Sequence, residues 1–195
     1  HDMNEHIPES TKPAVDQAKL GKLMDRMLND LGAAASVAMV RIGEALGLYR
    51  ALRDKGPLTP AGLAEATGIA ERYAREWLAH QAASEYLEYE PATGAFRLPP
   101  EQALVFADED SPACLLGGFD TVAAMLENQT KVQEAFRTGG GVEWGDQASC
   151  LFCAVGRFFR AGYVAEIVPH WLPALDGVAA KLSGGAKVVH CGTEW

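Results

Sequence analysis

The chain has 195 residues, 48% of them hydrophobic and 22% charged, with a formal net charge of −9. That length suffices for one large domain or two small ones, and the composition excludes wholesale disorder. The acidic balance disfavours a polyanionic partner, because nucleic-acid binding rests on Lys and Arg neutralising phosphates.

Residues 1–13 are polar, carry Pro8 and Pro13, and read as a disordered leader with no apolar run of the signal-peptide kind. No stretch of about 18 apolar residues exists, so no membrane span is predicted and the chain reads as cytoplasmic. From Val15, apolar residues recur at helical spacing: Leu20, Leu23, Met24, Met27, Leu28 and Leu31. This predicts an amphipathic helix, followed by a second helical segment through Val37, Val40, Ile42, Leu46 and Leu48. A terminal helix has to bury its Leu/Met stripe against something, so a homodimer contact is expected there.

The next block has the clearest local signals. Thr59-Pro60 is a helix cap followed by proline at the first helical position, and Gly68 ends that helix. A second helix is predicted from about Glu71 to Ala83, making a helix-turn-helix. Residues 86–89 and 96–98 alternate at period two around the turn Pro91-Ala-Thr-Gly94, which predicts a β-hairpin. The two together make a winged helix ending at Pro99-Pro100. Residues 14–100 therefore read as dimerisation helices plus winged helix.

Residues 101–184 read as further helices, a substrate-lid or linker region. Breaks are predicted at the acidic loop 108–112, at Gly139-Gly-Gly141 and near Gly162. Ala186-Lys-Val-Val-His-Cys-Gly192 reads as an apolar strand running into a glycine, the opening of a nucleotide-binding βαβ unit. Residues 185–195 are thus expected to be the first strand of an incomplete Rossmann-like domain. The predicted class is mainly α: a winged helix, a helical segment and one terminal β-strand.

The predicted recognition helix offers Arg72 and Arg75 against Glu71 and Glu76, and the wing has Glu88 and Glu90 against Arg97. A DNA reader should carry a net basic stripe there, so nucleic acid is not the expected partner, and a winged-helix regulator is the alternative function. Cys150-Leu-Phe-Cys153 has the spacing of a metal or redox pair. No second ligand pair supplies a zinc site, and on a helix the two thiols are expected to be buried as small hydrophobes. No metal is predicted. For nucleophilic catalysis the candidates are Ser149, Cys150 and His170, which would support hydrolysis of a small ester or lactone. Phe158, Phe159, Tyr163 and Trp171 are the candidate lining of a pocket for a small apolar molecule.

The order of these pieces resembles bacterial class I S-adenosylmethionine-dependent methyltransferases that begin with a winged helix. The resemblance is carried by Leu28-Asn-Asp-Leu-Gly-Ala-Ala-Ala-Ser36, Arg41-Ile-Gly-Glu-Ala-Leu-Gly-Leu-Tyr49 and Leu58-Thr-Pro-Ala-Gly-Leu-Ala64. Glu71-Arg-Tyr-Ala-Arg-Glu-Trp-Leu78, Pro99-Pro-Glu-Gln-Ala103, Arg157-Phe-Phe-Arg160 and Trp171-Leu-Pro-Ala-Leu-Asp-Gly177 extend it. It implies an N-terminal portion that dimerises and roofs the substrate pocket, beside a Rossmann-like domain that binds the cofactor. In that family an acidic residue ends the first strand and a G-x-G pattern follows.

Here His190 stands at the acidic position, Gly192 matches the first glycine as a vestigial cofactor residue, and Glu194 replaces the second glycine. A carboxylate in that turn would crowd and repel the methionine moiety of the cofactor. The expectation is a truncated methyltransferase-like protein that binds no S-adenosylmethionine and transfers no methyl group by itself.

Overall fold

The computed structural model describes residues 14–189. Helix α1 runs over Gln17–Ala45 and is capped by Asp16, whose Oδ1 accepts the amides of Ala18 and Lys19 at 3.0 and 3.1 Å. The sequence suggested two helical segments here, and the structure joins them. Gly32 is flanked by Ala33, Ala34 and Ala35, strong helix formers that offset the ~1 kcal/mol a helical glycine costs relative to alanine.

Residues up to Ala35 and residues from Ser36 onward form two compact units. The first consists of the N-terminal part of α1. Its stripe Leu20, Leu23, Met24, Met27, Leu28 and Leu31 is between 41% and 66% exposed.

The second unit holds the winged helix. Gly47, in the left-handed region at φ 68°, turns the chain into α2 (Leu48–Lys55). Helix α3 (Pro60–Thr67) begins as its sequence predicts: the Thr59 hydroxyl accepts the Gly62 amide at 3.2 Å, and Gly68 closes the helix at φ 74°. Helix α4 (Glu71–Ala83) follows. Strands β1 (Glu88–Glu90) and β2 (Ala95–Arg97) pair antiparallel with Tyr89 opposite Phe96. Leu58 exchanges two backbone hydrogen bonds with Phe96, at 3.0 and 2.8 Å, tying the start of the helix-turn-helix to the wing.

The core forms around Tyr49, Trp77 and Phe106, the last from α5 (Pro100–Phe106). Tyr49 stacks on Phe106 and meets Trp77 edge-on, with both centroid distances 5.0 Å. The polar ends of these rings are satisfied inside. The Tyr49 hydroxyl donates to Gln81 Oε1 at 2.6 Å, and the Trp77 indole N–H donates to the Met39 carbonyl at 2.9 Å. Gly43 is required where α1 crosses this cluster, because a Cβ there would strike the indole of Trp77.

Beyond the winged helix come α6 (Leu116–Glu127), α7 (Gln129–Thr138), a 3-10 turn (Trp144–Asp146), α8 (Ser149–Glu166) and α9 (Val178–Ser183). Buried Asn128 links two of them: its side-chain oxygen accepts the Ala148 amide at 2.8 Å, at the start of α8. The predicted breaks at the acidic loop and at Gly139 are present, the latter at φ 73°. The break near Gly162 is absent, and α8 continues through it. One interior glycine costs too little to end a helix of 18 residues packed on a neighbour.

At Pro169, which has no amide proton, the ladder slips instead: the Leu172 amide reaches the Ile167 carbonyl at 2.9 Å, and Ile167–Trp171 is a π-turn. Residues 186–189 were expected to begin a strand, but they belong to no element. A strand needs a partner to take its ladder hydrogen bonds, and the described residues offer none. The predicted disordered leader over 1–13 and the residues after Val189 lie outside the described residues.

Candidate functional site

A groove of about 420 Å³ opens where α1, α6 and α8 meet. Val37 comes from α1, Phe158 from α8, and Gly118, Phe119, Thr121 and Val122 from α6, with Leu115 just before it. Glycine shapes the floor, since a Cβ at Gly118 would sit 3.1 Å from the Phe158 ring. The Thr121 hydroxyl donates to the Gly117 carbonyl at 2.8 Å, leaving an apolar lining. Its lining is chemically matched to apolar rather than charged groups.

Of the four aromatics expected to line a pocket, Phe158 does so. Phe159, Tyr163 and Trp171 continue away from it as a row of rings, with successive centroid separations of 5.1, 5.8 and 6.0 Å from Phe158 outward. They are about half exposed and form a face rather than an enclosure. Residues 159, 163 and 171 share one side of a helix and its π-turn, so periodicity alone could not distinguish a surface row from a cavity wall.

Arg157, beside Phe158, binds three carboxylates. It pairs with Glu44 of α1, with Glu109 of the acidic loop at 3.3 Å, and with Asp120 of α6 at 3.1 Å. Arg41 adds a 2.8 Å bond to Asp120. The hydrogen bond to Glu44 raises the Arg157 pKa further, partial burial opposes it, and the surrounding carboxylates add to the rise, so the guanidinium stays charged. Arg41, Glu44, Asp120 and Arg157 border a second groove of about 510 Å³. No local pattern signals this network, because its members lie far apart along the chain.

The nucleophile candidates are not brought together. Ser149 and Cys150 open α8, whereas His170 lies in the π-turn beyond its far end. Eighteen helical residues separate the two ends by roughly 27 Å at about 1.5 Å per residue. Ser149, Cys150 and His170 are all exposed. The Cys150 thiol donates to Glu127 Oε2 at 3.3 Å, and burial and that carboxylate push its pKa up, so it rests as a thiol. Neither arrangement serves a serine or cysteine hydrolase. The expectation that Cys150 and Cys153 are buried is also overturned, since both are exposed. Gly192, with His190 and Glu194, lies outside the described residues. Among the described residues no group of three His, Cys, Asp or Glu side chains could hold a metal ion.

The winged helix is neutralised where a basic stripe would be needed. On α4, Arg75 pairs with Glu71 at 2.7 Å, and on the wing Arg97 pairs with Glu88. No single helix among the described residues is long and apolar enough to cross a membrane.

Residues 33–107 match the model of the Rv2258c-like winged HTH domain. The chain carries a winged HTH domain of this kind. Over a longer span, the backbone is similar to parts of three solved structures. The structure of the mitomycin 7-O-methyltransferase MmcR superposes with a TM-score of 0.60 at 20% identity, covering 78% of this chain and 48% of that one. PigF with SAH gives 0.53 at 17% identity, covering 84% and 49%. An O-methyltransferase family protein from Burkholderia thailandensis gives 0.53 at 17% identity, covering 84% and 46%. The chain therefore spans about half the length of these solved structures. No curated protein matches the sequence. The Rv2258c-like domain ends close to the C-terminus of α5, so the groove is built by helices from both inside and beyond it.

Proposed function

We propose that this chain is the N-terminal dimerisation and substrate-binding module of an S-adenosylmethionine-dependent methyltransferase. The observation that carries this reading is the apolar groove between α1, α6 and α8, in a fold shared with O-methyltransferases. An apolar groove of this kind suits a small, largely apolar substrate. The exposed Leu/Met stripe of α1 supports a homodimer, because an apolar helix face of that length requires a partner in water. The 195-residue chain by itself neither binds the cofactor nor transfers methyl groups. His190 and Glu194 replace the acidic residue and the glycine that the resembled family places around the cofactor.

The groove is tested by fluorescence titration with N-phenyl-1-naphthylamine, a planar apolar probe. Val122→Arg, at a groove position 43% exposed, is expected to weaken saturable binding about tenfold by filling the groove with a charged chain. Equal affinity in the wild type and the variant would remove the groove as the binding site.

A further inference from the structure

The C-x-x-C pair plays no part in the binding site, yet its two thiols are exposed one helical turn apart. Cys150 and Cys153 are the second and fifth residues of α8, both free and exposed. Leu151 between them is buried and anchors the turn, so the thiols stand on the solvent side of a fixed segment. Residues three apart on a helix have Cβ atoms about 5–6 Å apart, within roughly 1–2 Å of the separation that a disulfide spans. The first turn of a helix can tighten by that amount, because its leading amides lack the i−4 partners that fix the helix interior.

A second feature distinguishes the two cysteines. Glu127, the last residue of α6, accepts a hydrogen bond from Cys150 Sγ at 3.3 Å. Its carboxylate keeps the resting thiol protonated and stands where it can receive that proton once the sulfur attacks. Phe152 lies between the cysteines in sequence and meets Trp144 edge-on at 5.1 Å, so a change in this turn reaches an indole.

We propose that Cys150 and Cys153 form a redox-active dithiol that low-molecular-weight disulfides convert to an intramolecular disulfide, with Glu127 accepting the Cys150 proton. Cys153 gives its proton to solvent, and the thiolate so formed attacks one sulfur of glutathione disulfide; the two departing glutathione thiolates take up two protons in turn. The glutathione S–S bond breaks, one glutathione leaves as its thiolate, and a mixed disulfide remains on Cys153. Cys150 Sγ then attacks Cys153 Sγ while its proton passes to Glu127, and the second glutathione leaves as its thiolate. Two electrons move from the protein to glutathione. The products are one protein disulfide and two reduced glutathione molecules. Oxidation also removes the thiol that joins the end of α6 to the start of α8.

The test is incubation of the full chain with glutathione disulfide, followed by intact mass and mapping of the tryptic peptide 138–157, which contains these two cysteines and no other. Loss of two hydrogens within that peptide, a change in tryptophan fluorescence, and reversal by dithiothreitol are expected. Cys150→Ser should stop at the glutathione adduct on Cys153, and Glu127→Gln should slow the second step about tenfold without changing the first. Both variants lie on the surface and should melt with the wild type. A wild-type chain that stops at the mixed disulfide, or that links either cysteine to Cys114, would overturn the proposal. A Glu127→Gln chain that resolves at the wild-type rate would overturn the role of the carboxylate.

Discussion

Gly117 meets Phe158 backbone to backbone: a Cβ on Gly117 would lie 2.5 Å from the Phe158 amide nitrogen. Helices α6 and α8 are therefore as close as they can be at the point where they frame the groove. Gly117→Ala must push them apart, and overpacking of this kind costs about 1–3 kcal/mol. The expected outcome is a lower urea midpoint together with weaker binding of the apolar probe, since Gly118 and Phe158 move with the contact. An unchanged midpoint would show that the helices separate freely there.

Arg157 is the common partner of Glu44, Glu109 and Asp120. Arg157→Met keeps most of the side-chain volume and leaves Glu44, whose side chain is 18% exposed, without this counter-charge. A loss of about 1–3 kcal/mol is expected, below that of a fully buried pair because the site is partly solvated. Arg157→Met combined with Glu44→Gln should be less destabilised than the two single losses added together, which urea unfolding of the four proteins measures.

Tyr49 sets an alkaline limit. Burial raises its hydroxyl well above the ordinary value of 10.0, with Tyr86 and Glu44 adding to the rise. The unfolded chain gives up this proton near pH 10 while the folded chain holds it. The corresponding stability is therefore complete below that pH and declines above it by about 1.4 kcal/mol per unit. Tyr49→Phe leaves Gln81 Oε1 without its donor and should cost about 1–2 kcal/mol at neutral pH. The gap between the two proteins is expected to narrow between pH 10 and 11 in thermal melts. A constant gap would contradict the assignment.

The α1 stripe predicts the oligomeric state. Leu23 and Met27 are 52% and 51% exposed, on one face and one turn apart. The double substitution Leu23→Glu, Met27→Glu is expected to turn a dimer into a monomer in sedimentation equilibrium while leaving helix content intact. Identical masses for the two proteins would exclude this face as the contact.

What the sequence disclosed was local. The Thr59-Pro60 cap, Gly68 and the Pro91–Gly94 turn each act within a few residues, so the winged helix could be placed almost to its boundaries. The exposed charges of α4 and the wing were equally readable, since Glu71 and Arg75 are one turn apart. The site was legible only in part. Phe158, named from the sequence, borders the groove, whereas Val37 and Val122 were not singled out, because the groove exists only once α1 lies beside α6 and α8. Arg157 and its carboxylates were invisible for the same reason. Gly162 misled because a glycine signals a break only where packing does not hold the helix.

Isothermal titration calorimetry of the 195-residue chain with S-adenosylmethionine tests the central claim most directly. With His190 and Glu194 in the resembled cofactor turn, the account predicts no saturable heat and no methyl transfer to an apolar acceptor that occupies the groove. Tight stoichiometric binding accompanied by methyl turnover would contradict it.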